Sequence, residues 1–228
     1  MEEHKYKDIN YVLKTSNRKT ISIYLERDSS ILIIAPKEIT IPEVEKVIES
    51  KRPWIYKSQA ELEVLNKNKV KRDVVNGESF LYLGKHYKLK ITDSINKPLH
   101  FQQGNFFIHH KHTKKAKEHF ISFYKDKGIK HIKNRVDYFK DKLDVEPENI
   151  KIMDLQNRWA SRKNKNLHFH WKTLMAPLKV IDYIIIHELS HFIIPNHSKE
   201  FWQVVESILP DYLERENWLK TYGASLDI

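Results

Sequence analysis

The alternation of apolar and polar positions divides the chain into a strand-rich first part and a helix-rich second part. Residues 21–25 alternate apolar with polar, as a strand buried on one face must. Residues 31–35 form a short apolar run behind Asp28-Ser29-Ser30, so the two segments read as a hairpin. Thr40 and Glu43 stand three apart, in the spacing of a capping box, with Pro42 tolerated in the first turn. A helix is therefore expected from there to about Leu65, interrupted or bent near Pro53. Strand-like segments return at 80–83, 86–91, 99–102 and 106–109.

Around 111–118 the composition turns charged and helical. A long helix is expected to about Leu143, with Phe120, Phe123, Tyr124, Ile132, Val136 and Phe139 as its apolar stripe. This change sets the expected division: a β-rich region with one helix over 1–110 and a catalytic domain over 111–228. Segments 150–155 and 167–171 read as strands joined by a polar connection over 157–165, and Pro177 opens another helix. The fold class is α+β.

Residues 187–191 read His-Glu-Leu-Ser-His. On an α-helix, positions i and i+4 share a face, so both imidazoles can reach one tetrahedral zinc. Glu188 is displaced round the helix and suits the role of base toward the metal's water. Val180, Ile181, Ile184, Ile185, Ile186 and Leu189 make the segment apolar nearly all round. Propensity alone would favour a strand, so burial must decide. Burying two histidines and a glutamate there is costly without partners, and a metal with its water supplies them. The competing reading makes His187 and His191 satisfied core histidines. A third ligand is needed: His197 follows a corner made by Pro195, and Glu200, Glu206 or Asp211 are the carboxylate alternatives. Ser198 can cap a helix over 199–209.

Composition narrows the chemistry. With no cysteine among 228 residues, disulfides, thiolate metal sites and cysteine nucleophiles are excluded. Five glycines argue against glycine-rich phosphate loops. No segment approaches the about 18 uninterrupted apolar residues of a membrane helix, and the N-terminus lacks a signal-peptide stretch. The expectation is a soluble, cytoplasmic protein with no membrane partner. A net charge of +10 suits an anionic partner, or merely a lysine-rich surface. A nucleic-acid role rests on that charge alone, without a recognised binding module.

The motif and its continuation, Pro195-Asn196-His197-Ser198-Lys199-Glu200-Phe201-Trp202, resemble the YgjP-like metallopeptidase family, relatives of the SprT-like zincins. Arg158-Trp159-Ala160-Ser161 resembles that family's Arg-Trp-Gly-Ser motif. Residues 50–55 and the stretch from Gly77-Glu78 to Tyr82-Leu83-Gly84 resemble its N-terminal signatures. The family pattern continues Gly-Ser-Cys, whereas this chain has Ala160-Ser161-Arg162. The resemblance implies a zincin-like fold, with a twisted sheet packed on the motif helix. It implies a zinc metallopeptidase acting on peptide or protein, and, from some relatives, nucleoside triphosphate pyrophosphatase action on UTP. A binding or adaptor protein with structural zinc is the third reading.

Other candidates carry two readings each. Arg158 and Trp159 suit a substrate anion and an aromatic platform, or a sheet end and a core indole. His109, His110, His112 and His119 lie among lysines, where a solvated turn and helix start is preferred over a metal or polyanion site. His168 and His170 share one face of a strand, beside the cleft or in plain packing. Trp54, Trp202 and Trp218 read as core.

Overall fold

The computed structural model describes residues 2–26, 29–66, 72–155 and 158–228. It divides into two compact units, Met1–Lys69 and Val70–Ile228.

The first unit holds β1 (Glu2–Tyr6), β2 (Ile9–Ser16), β3 (Ser22–Leu25), β4 (Ile31–Pro36) and α1 (Ile41–Asn66). Its sheet runs in the order β1-β2-β4-β3, with β2 and β4 parallel. The expected hairpin is present, Ser22 facing Ile34 and Leu25 facing Ile31, while Asp28 lies outside the described residues. Ile9, Tyr11 and Leu13 of β2 join Ile31, Ile33 and Ala35 of β4 in a core completed by Val44, Ile48 and Ile55 of α1. The Glu43 carboxylate accepts from the Thr40 main-chain N–H at 2.9 Å and from its hydroxyl at 2.7 Å, fixing the helix start. Pro53 lies inside α1, which runs on through it. Trp54 is not core: it is 46% exposed, because Ile55 takes the buried position and its neighbour is turned about 100° away.

The second unit begins with a sheet of β5 (Ser79–Tyr82), β6 (Lys85–Thr92), β7 (Leu99–Gln102) and β8 (Asn105–His109), in the order β5-β6-β8-β7. A 3-10 turn over His110–Lys115 leads into α2 (Ala116–Leu143). All six residues of the expected α2 stripe are buried. Phe80 stacks on Phe120 at 4.2 Å between ring centroids, and Phe106 meets Phe120 edge-on at 5.0 Å. These contacts give the sheet a common core with α2. The chain therefore divides at 69/70 and not at 110, where the change of pattern suggested the boundary.

Next come β9 (Asn149–Met153), β10 (Ala160–Lys163) and β11 (Asn166–His170), ordered β10-β11-β9. Strand β10 falls within what was expected to be a polar connection. It pairs antiparallel with β11, Ala160 facing Phe169 and Lys163 facing Asn166, while Asn157 lies outside the described residues. Its Ser-Arg-Lys composition suits an edge strand, where one side has no ladder and polar side chains meet water. A 3-10 turn over Trp171–Met175 then leads to α3 (Leu178–Ser190), followed by α4 (Lys199–Ile208) and α5 (Tyr212–Tyr222).

Two devices hold α3, the helix that carries the motif. Arg135 of α2 grips Asp182 with two hydrogen bonds of 2.7 and 2.8 Å. Just before the helix, the main-chain N–H groups of Leu83 and Gly84 donate to the carbonyls of Leu174 and Met175. Gly84 has φ +77°, and a Cβ there would meet Pro177 Cα at 2.7 Å, so only glycine fits against the start of α3. The result is an α+β, zincin-like arrangement in which α3 packs against β10. Among the described residues, no helix is long and apolar enough to cross a membrane.

Candidate metal centre

Helix α3 forms against its own propensity. Val180, Ile181, Ile184, Ile185, Ile186 and Leu189 are all at most 4% exposed, so burial of a β-branched run outweighs its preference for a strand. The helix ends at Ser190, earlier than Pro195 would enforce. Phe192 and Ile193 donate to Leu189 and Ser190, three residues back, which tightens the last turn. His191 caps that end with helical φ and ψ, and so stays on the face of His187.

The corner over 191–197 returns His197 to this face. The ring centroids of His187, His191 and His197 lie 4.8–4.9 Å apart pairwise. One nitrogen from each falls within 4.8 Å of the others. Phe201 of α4, fully buried, touches all three, stacking on His191 at 4.6 Å and meeting His187 and His197 edge-on. Trp202 lies nearly parallel to His197 and is itself stacked on Tyr212.

The donor chemistry fits a divalent metal. His191 Nδ1 donates to the Ile194 carbonyl at 3.2 Å, which leaves its Nε2 lone pair available. Nε2 of His187 and Nε2 of His197 face each other at 2.9 Å, where at most one proton can lie between two lone pairs. A cation between them answers both; tetrahedral ligation spreads such nitrogens to about 3.3 Å, a shift of a few tenths of an ångström. Burial, then the neighbouring His191 and His197, pulls His187 down to about 3, so it is neutral and able to ligate. Glu200 is exposed and held below its ordinary value by the Ser198 hydroxyl; neither it, Glu206 nor Asp211 joins the cluster.

Glu188 is 8% exposed. Burial pushes its carboxyl up to about 7, against the opposing charges of Arg158 and Arg162 and the main-chain N–H of Arg162. Arg158 is itself exposed, while Trp159 is half-buried against Gly223, where a Cβ would meet the indole at 2.7 Å. Arg162 lies over the Phe192 ring, 5.2 Å from its centre. Arg162 is not among the candidates read from the sequence; the signal that marks it is its place where the family pattern has Cys. A cavity of about 200 Å³ opens beside Glu188, walled by Trp159, Ala160, Tyr183, Ile184 and Leu219.

Two of the other sequence candidates resolve differently. His170 is 2% exposed, accepts from the Lys172 N–H at 3.0 Å and faces Asp154 at 3.3 Å, so it has a packing and capping role. His168 is half-buried on β11, opposite Ser161.

Comparison with known proteins places this arrangement. The model of the YgjP-like metallopeptidase domain matches residues 19–222. Among solved structures, the metallopeptidase zymogen of Pyrococcus abyssi abylysin is similar at 26% identity and a TM-score of 0.36, covering 38% of this chain and 89% of that one. A comparison with the curated proteins finds no match. With the family match spanning the motif helix, the third histidine and most of both units, the chain belongs to the YgjP-like metallopeptidase family.

Proposed function

We propose that the protein is a zinc-dependent peptidase in which His187, His191 and His197 hold the metal and Glu188 moves the proton. The observation that carries this reading is the convergence of three imidazoles on one point beside a buried carboxylate. Three nitrogen ligands suit zinc and leave a position for water or substrate, which a closed structural site does not. Zinc bound there supplies Lewis acidity, lowering the pKa of water toward about 7 and polarising a scissile carbonyl.

This chain's residues do the rest. Glu188, poised near neutrality, takes a proton from the attacking water and returns it to the departing amine. Phe201 holds the three rings in register from below. The apolar cavity beside Glu188 receives an uncharged substrate side chain, being too small for a whole drug-sized ligand of the kind that needs about 300–1,000 Å³.

A second reading, nucleoside triphosphate pyrophosphatase, is favoured by one observation. Arg158 and Arg162 place positive charge near Glu188, as phosphate oxygens require. Incubating the zinc-loaded protein with unfolded proteins and, separately, with a panel of nucleoside triphosphates including UTP separates the two. The peptidase reading expects new peptide termini and no pyrophosphate. Glu188→Gln should keep the metal and lose turnover by about 10²–10⁴-fold. Pyrophosphate release without peptide cleavage would replace the first reading by the second.

A further inference from the structure

A second cluster lies away from the motif helix, at the end of β8 and the histidine-rich turn that follows it. Among the described residues, two groups of three side chains bring potential ligand atoms within 4.8 Å of one another. One is the triad above, and the other is Asp93, His109 and His110.

Sequence could not pair these, because Asp93 stands 16 residues before His109. Register does so. Strands β6 and β8 are parallel and end together with Thr92 opposite His109, so the next residue of β6 arrives beside the end of β8. Both sides are therefore held by one backbone ladder. His110 Nδ1 contacts Asp93 Oδ1 directly, and His109 Nδ1 lies 3.9 Å from the same oxygen. The two imidazoles stack at 5.1 Å between centroids.

Three potential ligand atoms thus converge on one point. Without a metal, a neutral His110 donates its Nδ1–H to Asp93 and His109 Nδ1 accepts from the Lys111 N–H. A divalent cation takes the place of that one proton, bound by the carboxylate oxygen and the two imidazole lone pairs. At 3.3 Å the bond from Lys111 is a long hydrogen bond that a metal displaces at little loss. Two imidazoles with a carboxylate suit zinc, cobalt or nickel better than magnesium or calcium, which take oxygen donors. Asp93 and His110 are 72% and 54% exposed in their side chains, so water completes the shell and the ion exchanges readily.

We propose that Asp93, His109 and His110 form a second, solvent-accessible transition-metal site, independent of the triad. The test uses cobalt(II) alone, by titration of the whole chain with visible absorption and calorimetry. Wild type should bind two cobalt ions per chain. The variant His187→Ala/His191→Ala should keep one, and Asp93→Asn/His110→Ala should also keep one, with circular dichroism confirming that each is folded. Asp93→Asn alone keeps the geometry while removing the charge, and should weaken the remaining ion at least about tenfold in the His187→Ala/His191→Ala background. Two results overturn the proposal: no cobalt bound by His187→Ala/His191→Ala, or two ions still bound by Asp93→Asn/His110→Ala.

Discussion

Replacing Phe201 by alanine removes the apolar floor shared by His187, His191 and His197. Phe201 is fully buried and lies 4.6–5.0 Å from each imidazole between ring centroids, so the change opens a cavity directly under the site. Phe-to-Ala substitutions in cores cost about 3–5 kcal/mol. That is a large share of the about 5–15 kcal/mol that holds a domain together. On the proposed function, zinc at a hundredfold excess over its Kd would contribute about 2.7 kcal/mol in the wild type. With the rings loosened, affinity should fall about 10–100-fold, the range for residues that orient ligands, so the same zinc concentration restores less. Urea unfolding of the metal-free and zinc-loaded proteins measures both effects. Tryptophan fluorescence is a suitable signal, since Trp159, Trp171, Trp202 and Trp218 all lie in the second unit. A loss below about 1 kcal/mol, or wild-type zinc affinity in the variant, would refute the reasoning.

Two further predictions concern the frame around the site. Gly128, in the middle of α2, leaves no room for a side chain: a Cβ would meet Ile152 Cδ1 at 2.6 Å and Leu174 Cδ2 at 2.7 Å. Gly128→Ala should therefore destabilise by about 1–3 kcal/mol from overpacking, offset by up to about 1 kcal/mol of helix propensity, and a raised thermal midpoint would contradict this. His131 is held below its ordinary value of 6.5 by burial first, then by Lys130 and Lys127. Its native state resists protonation, so its contribution is present above about pH 6.5 and is lost as pH falls through the lower folded value. Metal-free His131→Leu should consequently show a shallower loss of stability between about pH 7 and 5 than wild type, by urea midpoints. Parallel profiles would place the acid sensitivity elsewhere.

The helices were the most legible part of the chain. The α2 stripe and the Thr40–Glu43 start are local signals, readable from spacing alone, and both are present. Strand β2 alternates Ile9, Tyr11 and Leu13 as clearly as any, yet its partner β1 is mostly polar and gives no hydrophobic rhythm. Strand β10 was hidden for a related reason: at a sheet edge, Ser161, Arg162 and Lys163 read as a loop. The domain boundary depends on Phe80 and Phe106 packing on Phe120, a contact across 14 to 40 residues that no change of local pattern marks. At the site, helical spacing placed His187 and His191 on one face. The return of His197 and the approach of Arg162 to Glu188 depend on a corner and on strand pairing. Asp93 beside His109 and His110 is likewise a product of register.

The most direct test of three imidazoles holding one catalytic zinc is retention of metal against a competing chelator strong enough to strip exposed sites. Wild type and Glu188→Gln should each keep one zinc per chain after dialysis, while His197→Ala keeps none. Zinc retained by His197→Ala, or lost by Glu188→Gln, would contradict the account.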